Sequence, residues 1–91
     1  MERLPKFPAE YALAESLKSP AAVLNYEKFS LGIQIKKFRQ KAKMKQLELA
    51  KKIKTTQSAV ARMESGKQNL TLEMLVRIGF ALGKKLNARF Q

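Results

Sequence analysis

The chain has 91 residues and a formal net charge of +12, and it contains neither cysteine nor histidine. This length allows one domain with a modest core. The absence of cysteine excludes a disulfide scaffold and a cysteine-based zinc site, and the absence of histidine removes the usual general base and the commonest metal ligand. We therefore expect no enzyme activity, no metal and no cofactor. The longest uncharged runs are far shorter than the ~20 residues that cross a bilayer, and the N-terminus does not read as a signal peptide.

The positive charge is concentrated in the later part of the chain. Residues 1–30 carry four basic and four acidic side chains, so the whole excess lies in residues 31–91. Nine basic side chains fall within residues 36–54, where Glu48 is the only acidic residue. Such a surface favours a polyanionic partner, although a lysine-rich face that only keeps a protein soluble would have the same composition.

The predicted elements begin with helices. Pro8 suits the first turn of a helix over 9–18, and Ser19 followed by Pro20 is the start signal of a second helix over 21–28. Apolar spacing predicts further helices over 31–43, 46–53, 56–64 and 71–82. The expected core positions of the last three are Leu49, Ala50, Ile53, Val60, Met63, Leu72, Leu75, Val76, Ile78 and Leu82. Thr56 and Thr71 suit N-caps, and Gly66 and Gly83 suit left-handed helix ends.

The last residues change their period from helical to alternating. Leu86, Ala88 and Phe90 alternate with polar residues, which predicts a short strand. One strand cannot stand alone, and the sequence offers no second strong strand. Pairing with the same strand of a second copy would give a symmetric dimer, whereas the alternative is an extended tail packed on its own domain.

The helices over 46–53 and 56–64 form a helix-turn-helix pattern. Near the start of the second helix, the residues expected to be exposed are Gln57, Ser58, Ala59 and Arg62. Glutamine offers a paired donor and acceptor for adenine, and arginine offers a fork for guanine. The pattern therefore predicts that the second helix enters the DNA major groove.

Residues 31–83 resemble the XRE (Cro/CI-type) helix-turn-helix family. The resemblance rests on Gln46, Leu49-Ala50, Thr55-Thr56-Gln57-Ser58, Val60, Glu64-Ser65-Gly66-Lys67 and Leu82-Gly83. It implies an all-α, five-helix lambda repressor-like domain. Here that domain would carry an N-terminal helical extension over 1–30 and a short C-terminal β-strand within 84–91.

The family resemblance also implies roles for single residues. The implied DNA-binding residues are Gln46, Thr56, Gln57, Ser58, Arg62, Lys67 and Asn69. Gln57 would be the first base-contacting residue. Gln46 would contact a phosphate and also brace the Gln57 side chain. Ser58 and Arg62 would face neighbouring bases. Lys67 and Asn69 would hold the DNA backbone. Arg39 and Glu64 match positions that form an internal salt bridge in phage repressors, which predicts a structural role for Arg39.

Two lysines depart from the family pattern. The family usually has glycine in the turn between the two motif helices and often in the turn before the first of them, where this chain has Lys54 and Lys43. A lysine with a positive φ is strained. Either Lys54 tolerates that strain or the turn has a different shape.

The whole chain is similar to antitoxins of bacterial toxin–antitoxin pairs, of the HigA-like group whose partners are RelE-like ribonuclease toxins. This resemblance implies a sequence-specific repressor of double-stranded DNA that acts in the bacterial cytoplasm, binds a palindromic operator as a homodimer and neutralises a toxin. Residues 1–30 would then bind the toxin, unless they only cap the helical core. The alternative is a stand-alone or phage-type regulator without a toxin partner.

Overall fold

The computed structural model of the protein describes residues 19–90, which are built from helices. The four helices are α1 (Pro20–Lys41), α2 (Gln46–Lys52), α3 (Gln57–Glu64) and α4 (Leu72–Leu82). This confirms the all-α prediction, although these residues hold four helices where the family resemblance implied five. None of the four is both long and apolar enough to cross a membrane. The helix predicted over 9–18 lies outside the described residues.

Helix α1 is longer than the sequence predicted. The Ser19 side chain caps it by accepting a hydrogen bond from the Ala22 N–H at 3.1 Å, as the Ser-Pro signal predicted. The two helices expected over 21–28 and 31–43 are one, and that expected break is wrong. Since no proline interrupts the chain after Pro20, nothing between 28 and 31 stops the helix. The helix therefore crosses the boundary drawn after residue 30, while a separate role for 1–30 stays a prediction.

The core lies where α2, α3 and α4 meet the middle of α1. Its buried apolar residues are Ile35, Leu49, Ala50, Ile53, Ala59, Val60, Met63 and Ile78. Leu75 and Leu82 are half-buried, whereas the core predictions for Leu72 and Val76 are wrong because these side chains are 63% and 41% exposed. They lie on the outer side of α4, whereas Ile78 lies on the side that packs against the other helices.

Gly32 allows α1 to approach the last turn of α3 at backbone distance. A Cβ atom at this position would lie 2.5 Å from the Met63 carbonyl oxygen and 2.8 Å from that of Glu64. Only glycine fits without a shift of one helix, because both neighbours are backbone atoms. Gly32 thus fixes how closely α3 is held against α1.

All four helices end in the same way, with a left-handed residue and a backbone hydrogen bond that reaches back over it. The bonds run from Met44 N–H to Arg39 O (3.1 Å), Thr55 N–H to Ala50 O (2.9 Å), Lys67 N–H to Arg62 O (2.9 Å) and Lys84 N–H to Gly79 O (2.8 Å). This is the Schellman geometry. The left-handed residues are Lys43 (φ 59°), Lys54 (φ 60°), Gly66 (φ 77°) and Gly83 (φ 67°). The glycine predictions are confirmed, and both lysines adopt the strained conformation.

The start of the C-terminal tail, residues 84–86, packs on its own domain, whereas residues 87–90 are exposed. Gly79 makes room for it, because a Cβ there would lie 2.7 Å from the Lys84 carbonyl oxygen. The Lys84 ammonium lies 4.5 Å from the centre of the Phe38 ring, and Leu86 is half-buried. The strand predicted from Leu86, Ala88 and Phe90 is not present among the described residues, since a lone strand has no partner for its backbone.

Replacing Lys54 with glycine should stabilise the protein. A left-handed residue with a side chain costs roughly 1–2 kcal/mol and the extra chain entropy of glycine roughly 0.5–1 kcal/mol, so the net gain in stability should be up to ~1.5 kcal/mol. Denaturant unfolding measures this change. The matched control is Gly83→Lys, where a Cβ would meet no atom within 4 Å, so only strain is added and stability should fall. A loss of stability in Lys54→Gly would contradict the claim that the backbone of Lys54 is strained.

Candidate nucleic-acid interface

Helix α3 presents a polar surface on one side and is packed on the other. Its N-cap Thr56 accepts a hydrogen bond from the Ala59 N–H at 3.1 Å, which confirms the predicted cap. The packed side consists of Ala59, Val60, Met63 and Glu64. The exposure expected of Ala59 is wrong, because this side chain is only 6% exposed and belongs to the core. On the other side Gln57, Ser58 and Arg62 are exposed. The structure thus brings the three predicted base readers together, within the first two turns of one helix.

Helix α2 supports α3 from behind. Ala50 is fully buried, and its carbonyl oxygen accepts the Thr55 N–H that closes the turn between the two helices. Helix α3 packs on both α1 and α2. Its outer surface is therefore carried by a rigid support, which base reading requires because side chains must meet base edges within hydrogen-bond distance.

Glu64, at the end of α3, connects three helices. Its carboxylate accepts Arg39 Nε at 2.6 Å and Nη2 at 3.1 Å, and it also accepts the Gln46 side-chain amide at 3.1 Å. The Arg39 and Glu64 side chains are only 10% and 4% exposed. Arg39 Nη1 donates to the Met44 carbonyl oxygen at 2.7 Å. Arg39 therefore ties α1, the turn after it and α3 together, which is the structural arrangement that the resemblance implied.

Gln46 lies at the start of α2 but is engaged differently from the expectation. Its side-chain amide donates to Glu64, and no hydrogen bond to Gln57 occurs within residues 19–90. The start of α2 is capped by the Glu48 side chain, which accepts a hydrogen bond from the Lys45 N–H at 2.7 Å. A phosphate contact by Gln46 stays a prediction.

The loop after α3 contains the other predicted DNA contacts. Lys67 and Asn69 are both exposed there. Gln68, between them, accepts a hydrogen bond from Arg62 Nε at 3.0 Å and so fixes the direction of that guanidinium. Sequence reasoning missed Gln68 because a bond across the end of a helix, six residues away, leaves no periodic signal.

This arrangement is suited to binding. Among residues 19–90 no group of three or more potential metal-ligating side chains occurs. The polar start of α3, its supporting helix and the loop after it, with Lys67 and Asn69, are the parts that a major-groove reader needs.

The comparison with known families agrees with this geometry. A helix-turn-helix family model matches residues 35–87, which is more than half of the chain. The chain therefore belongs to the helix-turn-helix family, and within it to the XRE type. It is a DNA-binding transcriptional regulator. No curated protein and no solved structure is significantly similar to it.

Removing the Glu64 carboxylate should strongly destabilise the protein. In Glu64→Ala the buried Arg39 guanidinium loses its counter-charge, and breaking a buried pair from one side costs about 3–5 kcal/mol. Thermal and denaturant unfolding measure the loss. The control is Glu73→Ala, which breaks the exposed Arg77–Glu73 pair (2.8 Å) and should change stability by less than about 1 kcal/mol. Equal effects of the two substitutions would show that the buried pair is not a stabilising centre.

Proposed function

We propose that the protein is a sequence-specific repressor of double-stranded DNA. The observation that carries this proposal is the exposed group Gln57, Ser58 and Arg62 on a capped helix whose opposite side is buried. Their donors and acceptors match base edges in the major groove. As a DNA-binding regulator it would act in the cytoplasm, on the nucleoid.

The remaining contacts would position the helix on the DNA. Lys67 and Asn69 lie in the loop directly after α3, where they would bind the sugar–phosphate backbone. Gln46 and Thr56 lie at the starts of α2 and α3, which are the helix ends that favour an anion. Backbone contacts of this kind set register and affinity, and base contacts set specificity.

The proposed functional form is a homodimer on a palindromic operator. Two recognition helices related by a two-fold axis would read half-sites about one helical turn apart (~34 Å). Ala88 and Phe90 are exposed, and residues 84–90 have no regular secondary structure of their own. Together with Leu86 they are the residues through which two tails could pair as strands.

Substituting a base reader and a backbone binder should have different effects. Arg62→Ala should reduce binding to the operator by about 1–3 kcal/mol with little effect on mixed-sequence DNA. Lys67→Ala should weaken both about equally, because a phosphate contact is independent of sequence. Titration of both variants with a site selected from random duplexes and with mixed-sequence DNA measures this. Equal losses on both DNAs for Arg62→Ala would contradict its assignment to base reading.

An antitoxin role is the finer part of the proposal. Helix α1 begins 15 residues before the matched family region, and it exposes apolar side chains in this preceding part. These are Val23, Leu24, Phe29 and Ile33, each at least 40% exposed. Such a surface supports a protein partner, which the resemblance suggests is a RelE-like ribonuclease toxin. A stand-alone regulator would need no such partner.

Co-expression with the neighbouring open reading frame tests the antitoxin role. Since α1 begins at Pro20, deleting residues 1–18 leaves it whole, whereas deleting 1–30 would cut it in half. We expect the tagged full chain and the 1–18 deletion to retain a small basic partner, and Leu24→Glu, which places a charge on the exposed apolar surface of α1, to lose it. A protein that binds its own promoter and retains no partner would be a plain repressor.

A further inference from the structure

Lys28 lies in the part of α1 that precedes the matched family region, residues 35–87. It also belongs to residues 1–30, whose charges cancel and which the sequence therefore separates from the basic region. Neither the charge pattern nor the family match assigns it to the DNA-binding surface. In the folded chain, however, Lys28 lies beside the loop that follows the recognition helix.

The backbone of α1 is seated against the loop that follows the recognition helix. A Cβ atom on Gly66 would lie 3.0 Å from the Phe29 Cα atom and 3.3 Å from its nitrogen. Gly66 is left-handed, with φ 77°, so both its conformation and its lack of a side chain permit this approach. The residue before Phe29 is thereby held beside the loop.

Lys28 reaches the same loop with its side chain. Its ammonium lies 3.4 Å from Asn69 Oδ1, across 41 positions of sequence. Asn69 and Lys67 are the two loop residues proposed to hold the DNA backbone. Within residues 19–90 no carboxylate forms an ion pair with Lys28, so its charge is not neutralised there. A phosphate oxygen near Asn69 would find this ammonium within reach.

We infer that Lys28 is a further phosphate-binding residue beside Lys67 and Asn69, so that α1 takes part in binding the DNA backbone. The inference rests on the proposed function and extends it to a residue outside the family region. A phosphate oxygen would accept a hydrogen bond from the ammonium, in place of or beside Asn69 Oδ1. This contact is independent of base sequence and adds one released counterion.

The test compares two lysines on the same helix. Lys37 belongs to the basic run 36–54, but it is nine residues from Lys28, about two and a half helical turns. It therefore points to the opposite side of α1 and serves as the matched control. Binding of the wild type, Lys28→Met and Lys37→Met to a mixed-sequence DNA duplex is measured over a series of salt concentrations. Methionine keeps most of the length of the side chain and removes the charge.

We expect Lys28→Met to make the slope of log K against log salt less negative by about 0.9, which is the loss of one phosphate contact. The ratio of the wild-type binding constant to that of Lys28→Met should then shrink by about threefold between 50 and 200 mM salt. Lys37→Met should keep the wild-type slope, and Lys28→Arg should restore it. Unfolding curves of the Lys28 variants should match that of the wild type.

An unchanged slope in Lys28→Met would overturn the inference. Equal reductions for both lysines would also overturn it, because they would show a diffuse effect of net charge. A lower unfolding midpoint with an unchanged slope would mean that Lys28 only holds the loop. If the wild type bound neither mixed-sequence nor selected DNA, the proposed function itself would fail, which is a different result from a failure of Lys28 alone.

Discussion

The carboxylate of Glu64 is the interaction on which the arrangement of the helices depends. It lies at the end of the recognition helix and is almost completely buried, so its charge must be compensated inside the protein. Arg39 compensates it with two hydrogen bonds from α1, and Gln46 adds one from the start of α2. One buried group thus sets the position of α3 relative to both supporting helices. Gly32 complements it, because it lets α1 pass the same turn of α3 at backbone distance.

The helix ends show a second constraint, in which conformation and composition disagree. All four described helices close with the same backbone geometry, but only Gly66 and Gly83 supply the residue that this geometry favours. Lys43 and Lys54 adopt it with a side chain and carry the associated strain. They stand at the two ends of α2, next to the proposed binding surface, where each adds a positive charge. Strain of this kind is often found at functional sites.

Helix α1 joins two parts of the chain that differ in charge. Its second half carries Ile35 and Arg39 into the core, and its first half reaches the loop after the recognition helix. The first half also exposes apolar side chains that could meet a protein partner. Since one continuous helix carries both surfaces, a partner bound to residues 20–30 would lie close to the DNA-binding loop. Binding of a partner and binding of DNA could therefore influence each other.

The sequence by itself determined the features that depend on near neighbours. Caps at Ser19, Thr56 and Thr71 and the glycine ends at 66 and 83 follow from local hydrogen bonding and from the conformational freedom of glycine. The exposed start of α3 follows from helical spacing, since a helix with one buried side must expose the other. The same spacing overestimated the core of α4, because it does not tell which apolar residues a neighbouring helix will cover.

Only the tertiary structure decided the features that join distant residues. The continuity of α1, the close approach at Gly32 and the return of the tail over Gly79 each depend on what another element places nearby. Lys28 meets Asn69 across 41 residues, and no local pattern encodes such a contact. The strand predicted from Leu86, Ala88 and Phe90 failed in the described chain for the same reason. A strand is completed by hydrogen bonds to a partner, which the alternation of one segment cannot supply.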